Sequence, residues 1–239
     1  MKKESKGSRT VKESPASKET RNWAKIGLVA FCVFFAAAMI LTYMTPLIGA
    51  FKTVKANDTI IVDYTLRDSN GNPVVTSNQQ IFSTAGQQGL PIFYTQQIVL
   101  KAGEIGSEPL NSVPAYHPAT GWIQYALLGL EIDDISQGIV GTRMGETKTI
   151  PFTFEDDLRV NMTPEEFDII GGNFTEAQVG GWLPISFTTN PVIAMDAENQ
   201  TADNASIRLA KIVEKGETGI VISHRLAAAD VTVQQYGSS

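Results

Sequence analysis

The stretch GIVGTRMGETKTIPF, residues 138–152, holds the pattern that decides the fold. A short apolar piece ends at Gly141, and a tight turn follows at Met144-Gly145-Glu146. Thr147 to Phe152 then alternates between polar and apolar side chains, as half-buried strands do. The stretch therefore predicts a glycine turn that leads into a strand.

A short helix is predicted just before this stretch. Asp133 and Asp134 are suited to cap the N-terminus of a helical turn that passes through Ile135 and Ile139. The order is then helix, glycine turn and strand.

A hairpin is predicted nearer the start of the domain, within NDTIIVDYTLRDSNGNPVVTS, residues 57–77. Its first half alternates around Tyr64, Asn70-Gly71-Asn72-Pro73 is a strong turn signal, and Val74-Val75 resumes a strand. Towards the C-terminus, Ser206 to Val213 and Thr218 to Ile222 predict two more strands, and Val231 to Gln235 predicts a closing strand.

These pieces, in this order, resemble FKBP-type peptidyl-prolyl cis-trans isomerases. The block TPEEF, residues 163–167, and TEAQVG, residues 175–180, resemble the start of the insert-in-flap domain of SlyD-like FKBPs, and His224-Arg225-Leu226-Ala227 resembles the return from it. The resemblance covers most of residues 55–77 and 132–235. It does not cover residues 78–131, where we expect turns at Ser83 to Gly89, a strand at Ile92 to Leu100 and a loop through Pro109, Pro114 and Pro118.

The resemblance implies an α+β fold that is mostly antiparallel β: a half-barrel around a short helix, with a mostly β insert domain. The isomerase-like domain is expected at residues 52–157 plus 228–239. The insert is expected at residues 158–227.

The resemblance also implies a proline pocket. Its catalytic residues would be Tyr64, Ile132 and Ile135, and its substrate-binding residues would be Val75, Thr76, Leu158 and Val233. Of the aromatic side chains that members of the family place in this pocket, only Tyr64 remains. Packing in the core is the alternative reading of Val75, Ile135 and Val233.

The insert is rich in apolar side chains, among them Phe167 and Trp182. Exposed apolar patches mark binding surfaces, and in SlyD-like proteins this insert binds unfolded chains. We therefore expect Phe167 and Trp182 to contact unfolded or proline-containing polypeptides. The alternative is that these side chains form the insert's own core.

The N-terminal part of the chain indicates a membrane anchor. Residues 1–25 form a basic tail with eight Lys and Arg against three Glu, which we expect to be disordered and cytoplasmic. Residues 26–48 begin with an uncharged run from Ile26 to Met44, long enough to cross a bilayer as one helix. The rest of the chain is then expected outside the cytoplasm, and a cleaved signal peptide is the less favoured alternative.

Sequons for N-glycosylation occur only after this apolar segment, which agrees with an exported domain. The acceptors are Asn57, Asn161, Asn173, Asn199 and Asn204.

The composition argues against several other classes of protein. Cys32 is the only cysteine, so no intrachain disulfide is expected, and His117 and His224 have no spacing typical of a zinc site. No Ser-His-Asp or Cys-His set indicates a hydrolase. Proline isomerisation needs no metal, nucleophile or cofactor, because a pocket that prefers the twisted imide is sufficient. We therefore expect a membrane-anchored isomerase and chaperone for exported proteins that binds membrane lipid but no nucleic acid. The alternative is a non-catalytic binding or scaffold protein of the same fold.

Overall fold

A computed structural model describes residues 16–50, 52–154, 158–187 and 205–236. The chain divides into two compact units, Met1–Gly49 and Ala50–Ser239. Helix α1, Ala16–Ala50, contains an apolar window, Lys25–Thr42, none of which is buried within the protein. This helix is long and apolar enough to cross a membrane, and either an anchor or a signal sequence fits it.

The second unit is a mixed α+β structure. Its elements follow in the order β1 Thr59–Arg67, β2 Pro73–Thr76, α2 Gln79–Gln87, β3 Phe93–Thr95, β4 Ile98–Lys101, β5 Leu110–His117, β6 Gly121–Leu128, α3 Gly129–Gly138, β7 Thr147–Pro151, β8 Arg159–Met162, α4 Pro164–Ile169, β9 Trp182–Phe187, β10 Ser206–Lys215, β11 Ile220–Ser223 and β12 Ala228–Tyr236.

The strands form one curled, half-barrel sheet in the order β7-β12-β1-β2-β3-β5-β6-β10-β11-β8, with β4 on β1 and β9 on β10. Among the described strands, pairing is antiparallel except between β2 and β3 and between β6 and β10. The link between β6 and β10 is narrow, since only Ile207 pairs with Tyr125. The expected mixed, mostly antiparallel β architecture is therefore present.

The predicted hairpin forms between β1 and β2. The Asp68 carboxylate accepts the backbone N–H groups of Asn70 and Asn72 at 2.9 and 2.8 Å, and Gly71 adopts the positive φ of 80° that favours glycine. The four apolar residues of β1 that face inward are at most 1 % exposed: Ile60, Val62, Tyr64 and Leu66.

Buried apolar residues form two core clusters. The first core cluster joins β1, β2, α3 and β12 to side chains from residues 93–127. The second core cluster is built mainly from residues 162–222, together with Ala126. Many of the described apolar side chains of residues 158–227 therefore pack inside the molecule.

The predicted start of helix α3 was wrong. The helix begins five residues earlier than Asp134, at Gly129, because the Glu131 carboxylate reaches back to the Leu128 N–H at 3.0 Å. Asp133 instead accepts the N–H groups of Gly106 and Ser107, while Asp134 accepts that of Thr153. Both aspartates fix loops onto the helix.

Residues 78–131 are more regular than the sequence predicts. The expected turns at residues 83–89 lie largely in α2, which Asn78 caps by accepting the N–H groups of Gln80 and Ile81. The strand predicted at residues 92–100 is split into β3 and β4, which pair with different partners. The expected loop through Pro114 is strand β5. Proline is tolerated there because β3 pairs with β5 only at Ala115 and Tyr116.

The glycine turn and the strand of the opening stretch are confirmed. Gly145 has a φ of 77° and donates its N–H to the Val233 carbonyl at 2.8 Å, after which β7 pairs with β12. The strands predicted after residue 205 are confirmed as β10, β11 and β12.

Candidate functional site

The residues of the predicted proline pocket come together, but they do so inside the first core cluster. Tyr64, Val75, Ile135 and Val233 belong to this cluster, and Ile132 packs against it. The four cluster members are at most 2 % exposed, and Thr76 is fully buried as well. These side chains are therefore surrounded by other core residues, as expected if they pack in the core.

The segment that the resemblance does not cover fills the space beside Tyr64. The Tyr64 hydroxyl donates to Thr95 Oγ1 at 3.2 Å, and the Thr95 hydroxyl lies 3.1 Å from the Pro114 carbonyl, which accepts from it. Phe93 and Tyr125 pack ring to ring at 5.3 Å in the same cluster. Burial raises the pKa of Tyr64 above its ordinary value, as expected for a phenol withdrawn from water.

Ile132 is the one predicted catalytic residue that borders a described groove. This groove has a volume of about 310 Å³ and is also lined by Val99, Ile105 and Ser136. Val99 and Ile105 are 65 % and 67 % exposed, so the groove carries apolar surface that water reaches.

The remaining predicted binding residues are dispersed. Phe167 is 2 % exposed in the second core cluster. Leu158 has a φ of 48°, and its carbonyl accepts the His224 N–H at 3.3 Å. Trp182 packs against the first core cluster and lines a separate cleft. The insert's exposed apolar side chains include Ile169 and Val179.

A buried ion pair crosses the border between the two core clusters. Arg208, the third residue of β10, forms a two-point contact with the Glu131 carboxylate of α3, with Nη1 at 3.0 Å from Oε2 and Nη2 on Oε1. Arg208 also donates to the carbonyls of His224 and Ala126, at 2.9 and 3.0 Å. Burial, the largest single effect, acts to lower the pKa of Arg208. The charges of Glu131 and Tyr125 and the hydrogen bond to Glu131 together outweigh it, so the pKa is raised.

Two other titratable side chains share this environment. Burial, with the charge of Arg208 as the second cause, lowers the pKa of His224 to about 3, so this imidazole is neutral. Burial raises the pKa of Tyr125 to about 12. Sequence reasoning missed the cluster because Arg208 looks like the polar position of a half-exposed strand. The sequence did hold a signal: residues two apart lie on the same face of a strand, and Arg208 shares its face with Ala210 and Ile212, which are also buried.

The cleft lined by Trp182 lies where the β1–β2 hairpin meets strands β8 to β11, and we call it the basic cleft. Its volume is about 300 Å³, and the charged residues that line it within the described part of the chain are Asp68, Arg159, Lys211 and Arg225. Lys211 Nζ lies 3.3 Å from Asp68 Oδ2 and 5.4 Å from the centre of the Trp182 ring. The arrangement places ammonium, guanidinium and indole groups around one opening, which is suited to binding rather than to bond-breaking chemistry.

The described glycosylation acceptors are accessible. Asn57, Asn161 and Asn173 are exposed, whereas Asn199 and Asn204 lie outside the described residues. Within the described parts of the chain, no group of His, Cys, Asp and Glu side chains has the arrangement of a metal site.

Comparison with protein-family models finds no match to this chain, and comparison with curated protein sequences finds none either.

Proposed function

We propose that this chain is a membrane-anchored, extracytoplasmic binding protein built on an FKBP-like fold whose proline pocket is occupied by the chain itself. One observation carries the proposal. The Tyr64 phenol, the last aromatic of the pocket implied by sequence, is 1 % exposed and hydrogen-bonded to Thr95. An isomerase of this type must admit a proline side chain beside that ring, and burial of the ring opposes this.

The FKBP-like assignment draws support from the order of elements. A hairpin, β1–β2, is followed by the short helix α3, by β7 and finally by β12, which pairs with both β1 and β7. Residues 158–227 are an insertion into this arrangement, between β7 and β12. Residues 78–131 are the addition that covers the pocket.

Polypeptides are the proposed ligands, and the basic cleft is the proposed binding site. The cleft is open to solvent and combines an aromatic ring with charged side chains. Such a mixture recognises side chains and backbone of an extended chain, whereas a cofactor site is usually larger and mostly apolar.

The proposed topology follows from helix α1 and the tail before it. Basic residues precede the apolar window and exposed sequons follow it, which favours a cytoplasmic N-terminus. Protease added to intact cells should then remove the C-terminal unit, while the N-terminal tail stays protected until lysis. Protection of the C-terminal unit in intact cells argues against this topology.

Binding of unfolded chains is tested with the full-length protein in neutral detergent. Reduced α-lactalbumin, which is stably unfolded, serves as the polypeptide, and its aggregation is followed by light scattering. The proposal predicts suppression that grows with protein concentration and is absent from a detergent-only control. Equal scattering with and without the protein contradicts it.

The second candidate function is catalysis of proline isomerisation, and the position of Ile132 favours it. This residue borders an open, partly apolar groove, which leaves a route for a proline to reach one of the implied catalytic residues. Direct measurement of isomerisation separates the two candidates.

A further inference from the structure

Four aromatic side chains lie next to one another on one face of the sheet, and we call them the aromatic row. Tyr94 of β3 pairs in register with Tyr116 of β5, and Tyr116 pairs in turn with Trp122 of β6. Residues directly opposite each other on neighbouring strands point to the same face, so these three rings lie side by side. The centres of the Tyr116 and Trp122 rings are 5.7 Å apart. Phe82 of α2 completes the row, at 5.5 Å from the Tyr94 ring and 6.3 Å from the Tyr116 ring.

The aromatic row faces away from the first core cluster. The residues that alternate with it along the strands point inward: Phe93 and Ala115 belong to that cluster, and Ile123 packs against it. Trp122 is 61 % exposed, and the other three rings are half-buried. Large apolar side chains that are exposed next to one another mark a binding surface.

The polar groups of this face are open as well. Within the part of the chain that the structure describes, no hydrogen bond engages the Tyr94 hydroxyl, the Tyr116 hydroxyl or the Trp122 indole N–H. The same holds for the amide of Gln124, which is exposed two residues after Trp122 and so lies on the same face of β6. Hydroxyl and amide groups both donate and accept, whereas the indole N–H donates. The face therefore offers stacking surfaces together with hydrogen bonds.

The elements that build the aromatic row carry no charge. Residues 69–100 and 109–130, which supply α2, β3, β5 and β6, contain no Asp, Glu, Lys or Arg, although such residues make up 18 % of the chain. An ionic ligand would find no counter-charge in these four elements. Surfaces that bind lipid headgroups usually combine aromatic side chains with Lys and Arg, which these elements lack. A neutral ligand with many hydroxyl groups suits them better.

Neutral β-linked sugars have the matching chemistry. In a sugar ring with equatorial hydroxyls, the C–H bonds of each face form a flat apolar surface, and the hydroxyls project from the edge. Such a face stacks on an aromatic ring, because polarised C–H bonds meet the negative face of the ring. The hydroxyls at the edge both donate and accept, as the tyrosine hydroxyls and the Gln124 amide do.

We propose that the aromatic row binds neutral β-linked glycans, with sugar rings stacked on Tyr116 and Trp122 and a sugar hydroxyl bonded to Gln124. The row is built by residues 78–131, the segment that the FKBP resemblance does not cover. The proposal goes beyond the proposed function and does not depend on polypeptide binding at the basic cleft.

The test uses the full-length protein from a bacterial host, in which its sequons stay unmodified. The detergent is a polyoxyethylene ether, because glycoside detergents would compete for the row. Cellohexaose and chitohexaose are the probes, and isothermal titration calorimetry measures binding. We expect binding whose dissociation constant changes by less than about twofold between about 50 and about 500 mM salt, since no charge is involved. Sorbitol, which has hydroxyls but no ring face, should not bind.

Variants then assign the binding to the aromatic row. Trp122→Ala and Tyr116→Ala should each weaken binding by about tenfold or more, because a stacking surface is lost. Trp122→Phe keeps a ring and should retain most of the affinity. Val179→Ala, which truncates an apolar side chain that is 62 % exposed elsewhere, should leave the affinity unchanged. Circular dichroism checks the fold of each variant.

Fluorescence shows what contacts Trp122. The chain has three tryptophans, so Trp23→Phe combined with Trp182→Phe leaves Trp122 as the only one. A stacked sugar excludes water from the indole and should shift its emission to shorter wavelength. The same variant in vesicles of brominated phosphatidylcholine tests for lipid, because bromine quenches only a tryptophan that reaches the acyl chains.

Each contrary result overturns the proposal in its own way. Failure of both hexasaccharides to bind removes it, as does an unchanged affinity in Trp122→Ala. Quenching of Trp122 by brominated lipid assigns the row to a membrane surface instead. Tighter binding of a decaproline peptide than of either hexasaccharide, abolished by Trp122→Ala, assigns the row to polypeptides. Suppression of α-lactalbumin aggregation is measured independently, so failure of glycan binding leaves the proposed function standing.

Discussion

The guanidinium of Arg208 and the carboxylate of Glu131 meet in a two-point hydrogen-bonded pair although 77 positions separate them in the chain. Arg208 is fully buried and Glu131 is 1 % exposed. The pair ties β10, which follows the predicted start of the insert at residue 158, to α3, which precedes it. Arg208 donates four hydrogen bonds to protein acceptors, two of them to Glu131, so removal of either partner leaves a buried charge unpaired.

The first prediction concerns this pair. Arg208→Met should destabilise the protein by about 3–5 kcal/mol, because the Glu131 carboxylate then stays buried without a counter-charge. The double variant Arg208→Met/Glu131→Leu should recover much of that loss, since both charges are removed. Urea denaturation of the single and double variants measures the coupling.

The exposed pair Arg159–Glu214 provides the matched control. Arg159→Met should change stability by less than about 1 kcal/mol, because water screens a surface pair. If Arg208→Met is no more harmful than Arg159→Met, the buried pair does not hold the two parts together.

The second prediction is a dependence of stability on pH through His224. Its pKa is lowered to about 3 in the folded protein from an ordinary 6.5, so below pH 6.5 the unfolded chain takes up a proton that the folded chain does not. Stability is therefore complete above pH 6.5 and is lost as the pH falls towards 3. The loss at pH 5 should be about 2 kcal/mol.

His224→Phe should remove this dependence between pH 7 and 5, because phenylalanine has no proton to bind and can keep the edge contact with Phe187. Urea midpoints at pH 7, 6 and 5 provide the measurement. Parallel pH profiles for the variant and the wild type would mean that His224 does not titrate as described.

The sequence predicted the parts of the fold that local pattern specifies. Three such features depend only on neighbours along the chain, and each is present in the structure: the alternation around Tyr64, the Asn70-to-Pro73 turn and the Gly145 turn. Strand β5 was missed because Pro114 signals a loop, and only its position beyond the end of β3 makes it tolerable.

The candidate site was less predictable, because its decisive contacts are long-range. The hydrogen bond from Tyr64 to Thr95 spans 31 residues, and that from Thr95 to Pro114 spans 19. No local sequence pattern predicts either bond. The buried role of Arg208 likewise depends on Glu131 of another element. Sequence motifs grouped Tyr64, Val75, Ile135 and Val233, which the structure buries in one core cluster, but they gave no way to distinguish a core from a pocket.

The third prediction concerns Ile135, which is 2 % exposed in the first core cluster. Ile135→Trp should destabilise the protein by about 1–3 kcal/mol, because a larger ring has no space there. It should not create isomerase activity. Ile135→Val is the control, with a loss of about 0.5–1.5 kcal/mol. A stable, active Ile135→Trp variant would reveal an open pocket.

The fourth prediction concerns the insert. Leu226 is buried in the first core cluster. Ala227 donates its N–H to the Arg67 carbonyl and accepts the Phe152 N–H, so a deletion should spare both residues. Replacing residues 158–225 with a glycine-containing turn removes Arg208 and should leave Glu131 buried and unpaired. The shortened protein should fold poorly.

Adding Glu131→Leu to this deletion should restore cooperative unfolding, measured by circular dichroism against Glu131→Leu in the full chain. If the deletion folds equally well with and without Glu131→Leu, the insert is independent of the ion pair.

The central claim is that the chain fills its own proline pocket. Isomerisation of a chromogenic Ala-Pro peptide by the full-length protein in neutral detergent tests this claim most directly, with an active FKBP as positive control. The account predicts the uncatalysed rate, a relaxation over tens of seconds, at every protein concentration. A rate that rises in proportion to protein concentration, and falls when Tyr64→Phe is introduced, would contradict it.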